Sequence, residues 1–293
     1  MQKEYNWKSE EAVSTVVSAI LLLALVVAVI TSINMRYVPQ WTENAEHLHM
    51  RSATKDMSQL KSGVDLMLTA SAAGKEPFSA GMPVTMGGGE IPLFNPSSSS
   101  STLFLNTRAV NMYLTTEVGG VIWESGDLME HMGCVDLLSN NDHYPNQRLS
   151  YECGGLAIGQ KERSVMKMVP HISVGKSVND TIDVNIDAIK LSGSQRTISS
   201  NSVEEVYFTY SGSGSIYDGS ALVDELTLVL ETENSMAWQD HLSRLMHASQ
   251  IGAGQYSINS NSTAIILYIS GDNGADIRPR VHVHVFNVSL NVL

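Results

Sequence analysis

The sequence predicts an α+β protein: a long N-terminal helix, then a mainly antiparallel β head, sandwich or roll, carrying one short helix. Three observations predict it. Residues 12–33 read AVSTVVSAILLLALVVAVITSI and contain no charge. A helical apolar spacing then continues from Met50 to Met67. From Thr102 onward, short runs rich in β-branched and aromatic residues alternate with Gly, Asn and Ser turns.

The apolar run comes first. As a helix its 22 residues span about 33 Å, enough to cross a hydrocarbon core of roughly 30 Å. Glu10 and Glu11 precede it and Arg36 follows. Three fates are open to such a segment: a secretory signal that is removed, a membrane anchor, or the core helix of a filament. No small-residue cleavage site ends the run, which argues against the first. Beyond Arg36, Met50, Ala53, Met57, Leu60, Val64 and Met67 recur at spacings of 3, 4, 3, 4 and 3, a stripe close to a heptad seam. Pro39 bends the helix without ending it, because the periodicity resumes after it. Gly63 is a second soft point. One bent helix over 12–73, about 90 Å long, is therefore expected, apolar all round in its first half (12–33) and amphipathic in its second.

Residues 74–101 are dense in Gly, Pro and Ser and read as a linker. Their triple glycine lacks the Lys-Ser/Thr of a phosphate loop. The head then occupies 102–293, with strands expected at 102–107, 111–118, 164–170, 180–189, 204–210, 225–232, 263–270 and from Arg280 to the end. In the last of these, Val281, Val283 and Val285 share one face, and Val288, Leu290 and Val292 resume after a one-residue slip. A β-bulge near Phe286-Asn287 would produce that slip. Between strands, Trp238, Leu242, Leu245 and Met246 mark a short helix capped by Asn234 or Ser235.

Composition limits the partners. The net charge of −12 excludes a nucleic-acid binder of the usual basic kind. The only cysteines, Cys134 and Cys153, would form a disulfide in an exported head, stabilising it by about 3 kcal/mol. Asn179, Asn261 and Asn287 each begin an N-x-Ser/Thr sequon, a candidate N-glycosylation site.

Chemistry is harder to find. His282 and His284 alternate on one strand face, but zinc wants further ligands and no HExxH pattern exists; alternation on an edge-type strand accounts for them. His47 and His49 point about 200° apart on a helix. No G-x-S-x-G elbow is present, and 211–220, SGSGSIYDGS, reads as a turn. The carboxylate pairs Glu204-Glu205 and Asp224-Glu225 face opposite ways on their strands. No catalytic residue, metal ligand or cofactor is expected, and the chain is not read as an enzyme.

The N-terminal segment Ala12-Val13-Ser14-Thr15-Val16-Val17-Ser18-Ala19-Ile20-Leu21-Leu22-Leu23-Ala24 resembles the box of archaeal type IV pilin-like proteins with a class III signal peptide. Thr15 and Ser18 depart from it, where Pro and Gly are usual. Met57 to Lys61, Tyr151 to Gly155 and the Trp238 helix are similar, less specifically, to larger archaeal pilin-like membrane proteins. The resemblance implies a leader over 1–11, cut by a prepilin peptidase within Lys8, Ser9, Glu10, Glu11 and Ala12. It also implies that the apolar helix is kept, with the membrane, the assembly machinery and like or related pilin subunits as partners. The expected protein is a minor or adhesive subunit of a pilus-like filament, with its head outside the cell. The alternative is a singly anchored surface-binding protein that does not polymerise.

Overall fold

The computed structural model describes residues 7–72, 79–88, 99–177, 179–271 and 276–290, and for 7–13, Ala72 and Asp127 the backbone alone. In chain order the elements are α1 (Trp7–Arg36), α2 (Val38–Ala72), β1 (Ser79–Thr85), β2 (Ser100–Leu105), β3 (Asn111–Val118), β4 (Val121–Glu124), β5 (Cys134–Asn140) and β6 (Arg148–Glu152). There follow β7 (Gly155–Gln160), β8 (Arg163–Met168), β9 (His171–Lys176), β10 (Ile182–Ser192), β11 (Arg196–Ser200) and β12 (Val203–Asp218). The chain continues through β13 (Glu225–Glu231), α3 (Ser235–Ala248), β14 (Tyr256–Ser260), β15 (Ala264–Ser270) and β16 (Ile277–Leu290). The fold is α+β, a long N-terminal helix followed by a mostly antiparallel β region with one short helix.

α1 and α2 form one continuous rod. Tyr37 N–H donates to Ile33 O (2.9 Å) and Trp41 N–H to Tyr37 O (3.0 Å), so the ladder crosses the junction. Pro39 falls in the first turn of α2, where its missing N–H is tolerated. The seam residues Met50, Ala53, Met57, Leu60, Val64 and Met67 are all buried. Burying six such side chains is worth on the order of 10 kcal/mol before ordering entropy is set against it. α2 is therefore part of the head's core. Gly63 is no soft point: the Met82 side chain of β1 lies where a Cβ would stand, so the glycine lets helix and strand close up.

Among the described residues the head has three sheets, ordered β1-β12-β16-β10-β9, β11-β2-β5-β6-β7-β8 and β14-β15-β13-β3-β4. Among the described pairs only β10 with β16 is parallel. The first sheet is the frame, because it is covered on different faces at its two ends. Ile182, Val184, Ile186, Val281 and Val283 enter a core shared with the third sheet and α3. Ile189, Leu191, Phe286 and Val288 enter a second core with α2 and the second sheet. The apolar set changes parity along each strand, as a period-two chain must when the covering layer changes sides.

This corrects three expectations. The slip in β16 is a change of buried face: its register with β10 runs unbroken from Ile277 to Asn287. The bulge lies in the partner strand, where β12 inserts a residue between Tyr210 and Gly212, opposite Phe286 and Val285. The turn expected at 211–220 is largely strand, since β12 continues to Asp218. The linker expected over 74–101 contains β1, while 74–78 and 89–98 lie outside the described residues. Residues 291–293 of the last strand do as well.

The polarity of the head follows from α2. Asp56 accepts from Thr85 N–H (3.0 Å) and Met82 lies against Gly63, so β1 runs back along the helix. Its antiparallel partner β12 then runs with the helix, from Val203 beside Thr85 to Asp218. Sixteen residues of strand reach about 50 Å, so the Asp218 end of the head lies away from α1.

Candidate functional site

The candidate site is the N-terminal rod, whose two halves have opposite surroundings. Ser14–Ser71 is one span long and apolar enough to cross a membrane, and none of its most apolar window is buried in the fold. Leu21, Leu22 and Leu25 are each about two-thirds exposed. Apolar side chains bare on every side of a helix need a cover the head does not supply. Lys8, Ser9, Glu10, Glu11 and Ala12 belong to the first turns of α1, and residues 1–6 of the expected leader lie outside the described residues.

The second half is fastened by charge as well as by packing. Glu46, buried on α2, accepts three backbone N–H groups from the β5–β6 loop: Asp142 at 2.8 Å on Oε1, then His143 at 2.9 Å and Tyr144 at 2.6 Å on Oε2. The His47 ring lies tilted against that of Tyr144, with centroids 5.3 Å apart. The buried His49 lies 3.2 Å from Ser101 Oγ. Further along, the buried Lys61 binds Asp65 at 2.7 Å, and Asp65 meets His171 of β9 at 2.9 Å. Burial pushes the Asp65 carboxyl up, but hydrogen bonds from His171 and Lys61 outweigh it, and the pKa lies below the ordinary value. The sequence offered a partial signal for all this: polar residues at seam-flanking positions, without their partners.

A second polar knot ties the sheets together. Arg108 binds Asp136 through Nε (3.0 Å) and Glu152 through a terminal nitrogen (2.5 Å). Glu152 also accepts from Thr232 Oγ1 (2.6 Å), Asn234 Nδ2 (3.0 Å) and Trp238 Nε1 (2.8 Å). Burial draws the guanidinium's pKa down, but the two carboxylates more than offset this and hold it above its ordinary value. Asn234 stands at the N-cap of α3 without capping through its side chain. That side chain serves Glu152 instead.

The expected Cys134–Cys153 disulfide is absent; both thiols are free and buried. Opposite Cys134 on β6 is Glu152, and Cys153 follows in a left-handed turn conformation, φ 48°. The Cys134 side chain is turned toward Asp136, 3.7 Å away. Burial, reinforced by Asp136, pushes its thiol up to about 12.

Other features stand apart from the rod. β16 is an interior strand of its sheet, not the edge strand its histidines suggested. His282 and His284 are neighbours on it, ring centroids 6.4 Å apart, and His284 lies 3.5 Å from Asp187. Among the described residues no group of three or more His, Cys, Asp and Glu is placed to hold a metal. A cleft of about 1090 Å³ opens between the start of α3, β6–β8 and the β14–β15 turn. Charged and polar residues including Arg148, Lys161 and Arg163 line it, with neither histidine nor cysteine. At the end of the head away from α1, the β3–β4 hairpin exposes Val118, Val121, Ile122 and Trp123, with Trp123 edge-on to Tyr217. The sequon residues Asn179, Asn261 and Asn287 are all exposed.

The chain matches no known protein family, no curated protein and no solved structure.

Proposed function

We propose that the protein is a structural subunit of an archaeal type IV pilus-like surface filament, in a minor or adhesive role, assembled through α1. The observation that carries this reading is the division of one rod into a bare apolar half and a half fastened into the head. A subunit of that shape can exchange lipid for neighbouring α1 helices, regaining apolar contact in a helical bundle. Head-to-tail contacts that do not close then propagate an open filament. The likeness of residues 12–24 to the pilin box supports the same reading, with a prepilin peptidase removing the leader on the inner side of the membrane.

Two measurements test it. N-terminal sequencing of protein from its native cell is expected to find the first 9 or 11 residues of the sequence removed, whereas an intact start favours the singly anchored alternative. Leu22→Asp is expected to abolish assembly while the head stays folded. Normal filaments from that variant would rule out the filament role.

The exposed hairpin at the end away from α1 favours a binding task for that end, in a filament or on a single anchor.

A further inference from the structure

The three sequons sit in three different backbones, and this separates them chemically. Transfer of a glycan to asparagine needs the side-chain amide and the hydroxyl two residues on to be presented together on chain that can enter an enzyme's cleft.

Asn287 fails that requirement. It lies within β16, with Thr209 of β12 on one side and Ser192 of β10 on the other. The next residue, Val288, is buried in the core. Presenting this sequon means withdrawing an interior strand from both neighbours. Asn179 fails differently. Its amide is exposed, but the hydroxyl-bearing Thr181 is buried. The turn holding it is closed by Ser177 N–H donating to Thr181 O (2.8 Å).

Asn261 meets the requirement. It opens the tight turn between β14 and β15, and Asn261, Ser262 and Thr263 are all exposed. Its Oδ1 accepts from Thr263 N–H (2.8 Å), Thr263 Oγ1 (3.3 Å) and Ala264 N–H (2.7 Å). This Asx turn holds hydroxyl and amide together in the folded chain, and the amide nitrogen takes no part in it.

We infer that Asn261 is the residue of this chain that accepts an N-linked glycan, and that Asn179 and Asn287 stay unmodified. The inference rests on the outward placement proposed above. The donor is a sugar carried on a polyprenyl phosphate or pyrophosphate, used by a membrane transferase. The Nδ2–C1 bond forms as the bond from C1 to the lipid phosphate oxygen breaks. The phosphate leaves with the bonding electrons, and Nδ2 gives its proton to a base of the transferase.

The test uses full-length chain from its native cell. Intact-mass and glycopeptide analysis are expected to place one glycan, on the peptide containing Asn261. Asn261→Asp keeps the accepting oxygen of the turn and removes the acceptor nitrogen, and it is expected to lose the whole glycan mass. Thr263→Ala is expected to lose it and Thr263→Ser to retain it. A glycan on Asn179 or Asn287, or none on a head that added protease can reach in intact cells, overturns the inference. A head shielded from that protease overturns the outward placement instead, and the inference with it.

Discussion

Glu46 on α2 accepts the backbone N–H of Tyr144 at 2.6 Å, and with His143 and Asp142 it draws the β5–β6 loop onto the helix. Carboxylates near backbone N–H groups are common at helix starts. Here the carboxylate comes from a helix and the N–H groups from a loop distant in sequence, so one buried residue fixes this loop against the rod. Glu46→Ala would leave three N–H groups without their acceptor, and hydrogen bonds to a charged group are the strong ones. A loss of about 2–4 kcal/mol in the stability of the head is expected from denaturant titration. Glu46→Gln keeps one accepting oxygen and should lie between variant and parent.

Arg108 predicts a larger effect. Its guanidinium faces two carboxylates, Asp136 and Glu152, both buried. Arg108→Met would leave them without their cation, and breaking a buried ion pair from one side costs about 3–5 kcal/mol. Because Glu152 also holds Trp238 Nε1, the fluorescence of the variant is expected to shift at denaturant concentrations where the parent is still native. An unchanged unfolding midpoint would remove the knot from the list of stabilising features.

Some of this was legible in the sequence. The seam from Met50 to Met67 could be read because a helix with one covered face must repeat every three or four residues. β3, β13 and β15 could be read because one covered face imposes alternation. β5, β6 and β7 escaped notice because their residues are buried on both faces over much of their length, so no alternation survives. β1 lay unnoticed in Gly- and Pro-rich surroundings. The cysteine spacing suggested a bond, but register decides which residue sits opposite Cys134, and spacing does not report register. The Glu46 and Arg108 contacts join residues far apart in sequence, and no local pattern encodes such partners.

Acid should unfold the protein in two windows. Burial lowers the pKa of His49 below 6.5, against the opposing pull of Asp56 and Glu46. Burial also lowers that of His241, with Arg244 adding to the effect and Asp240 opposing it. A depressed histidine value means that the unfolded chain takes up a proton the folded chain refuses. That part of the stability is complete above pH 6.5 and declines as pH falls from there toward the folded values. Asp65 acts lower. Its folded value lies below the ordinary 3.8, so its contribution is present above that pH and is lost as pH falls further. Melting temperatures across pH 8 to 2 are expected to flatten in the upper window for His49→Gln combined with His241→Gln, and in the lower window for Asp65→Asn. A double histidine variant with the parent's slope would show that neither imidazole controls it.

The β3–β4 hairpin allows function to be separated from stability. Val121 is 70% and Ile122 64% exposed, so replacing either with a charge removes almost no buried contact. Substitutions of that kind change stability by roughly 0.5 kcal/mol or less. Yet exposed apolar side chains on a strand with an open edge invite a partner, and this strand lies at the end of the head away from α1. Ile122→Asp is therefore expected to leave the melting temperature of the full chain and the assembly of α1 unaltered. Attachment of cells carrying the variant to a surface or to one another should fall. Parallel loss of attachment and melting temperature would mean that the hairpin supports the fold instead. Unchanged attachment would point instead to the polar cleft beside α3, where the charged side chains Arg148, Lys161, Glu162, Arg163 and Glu233 would favour a polar partner over an apolar one.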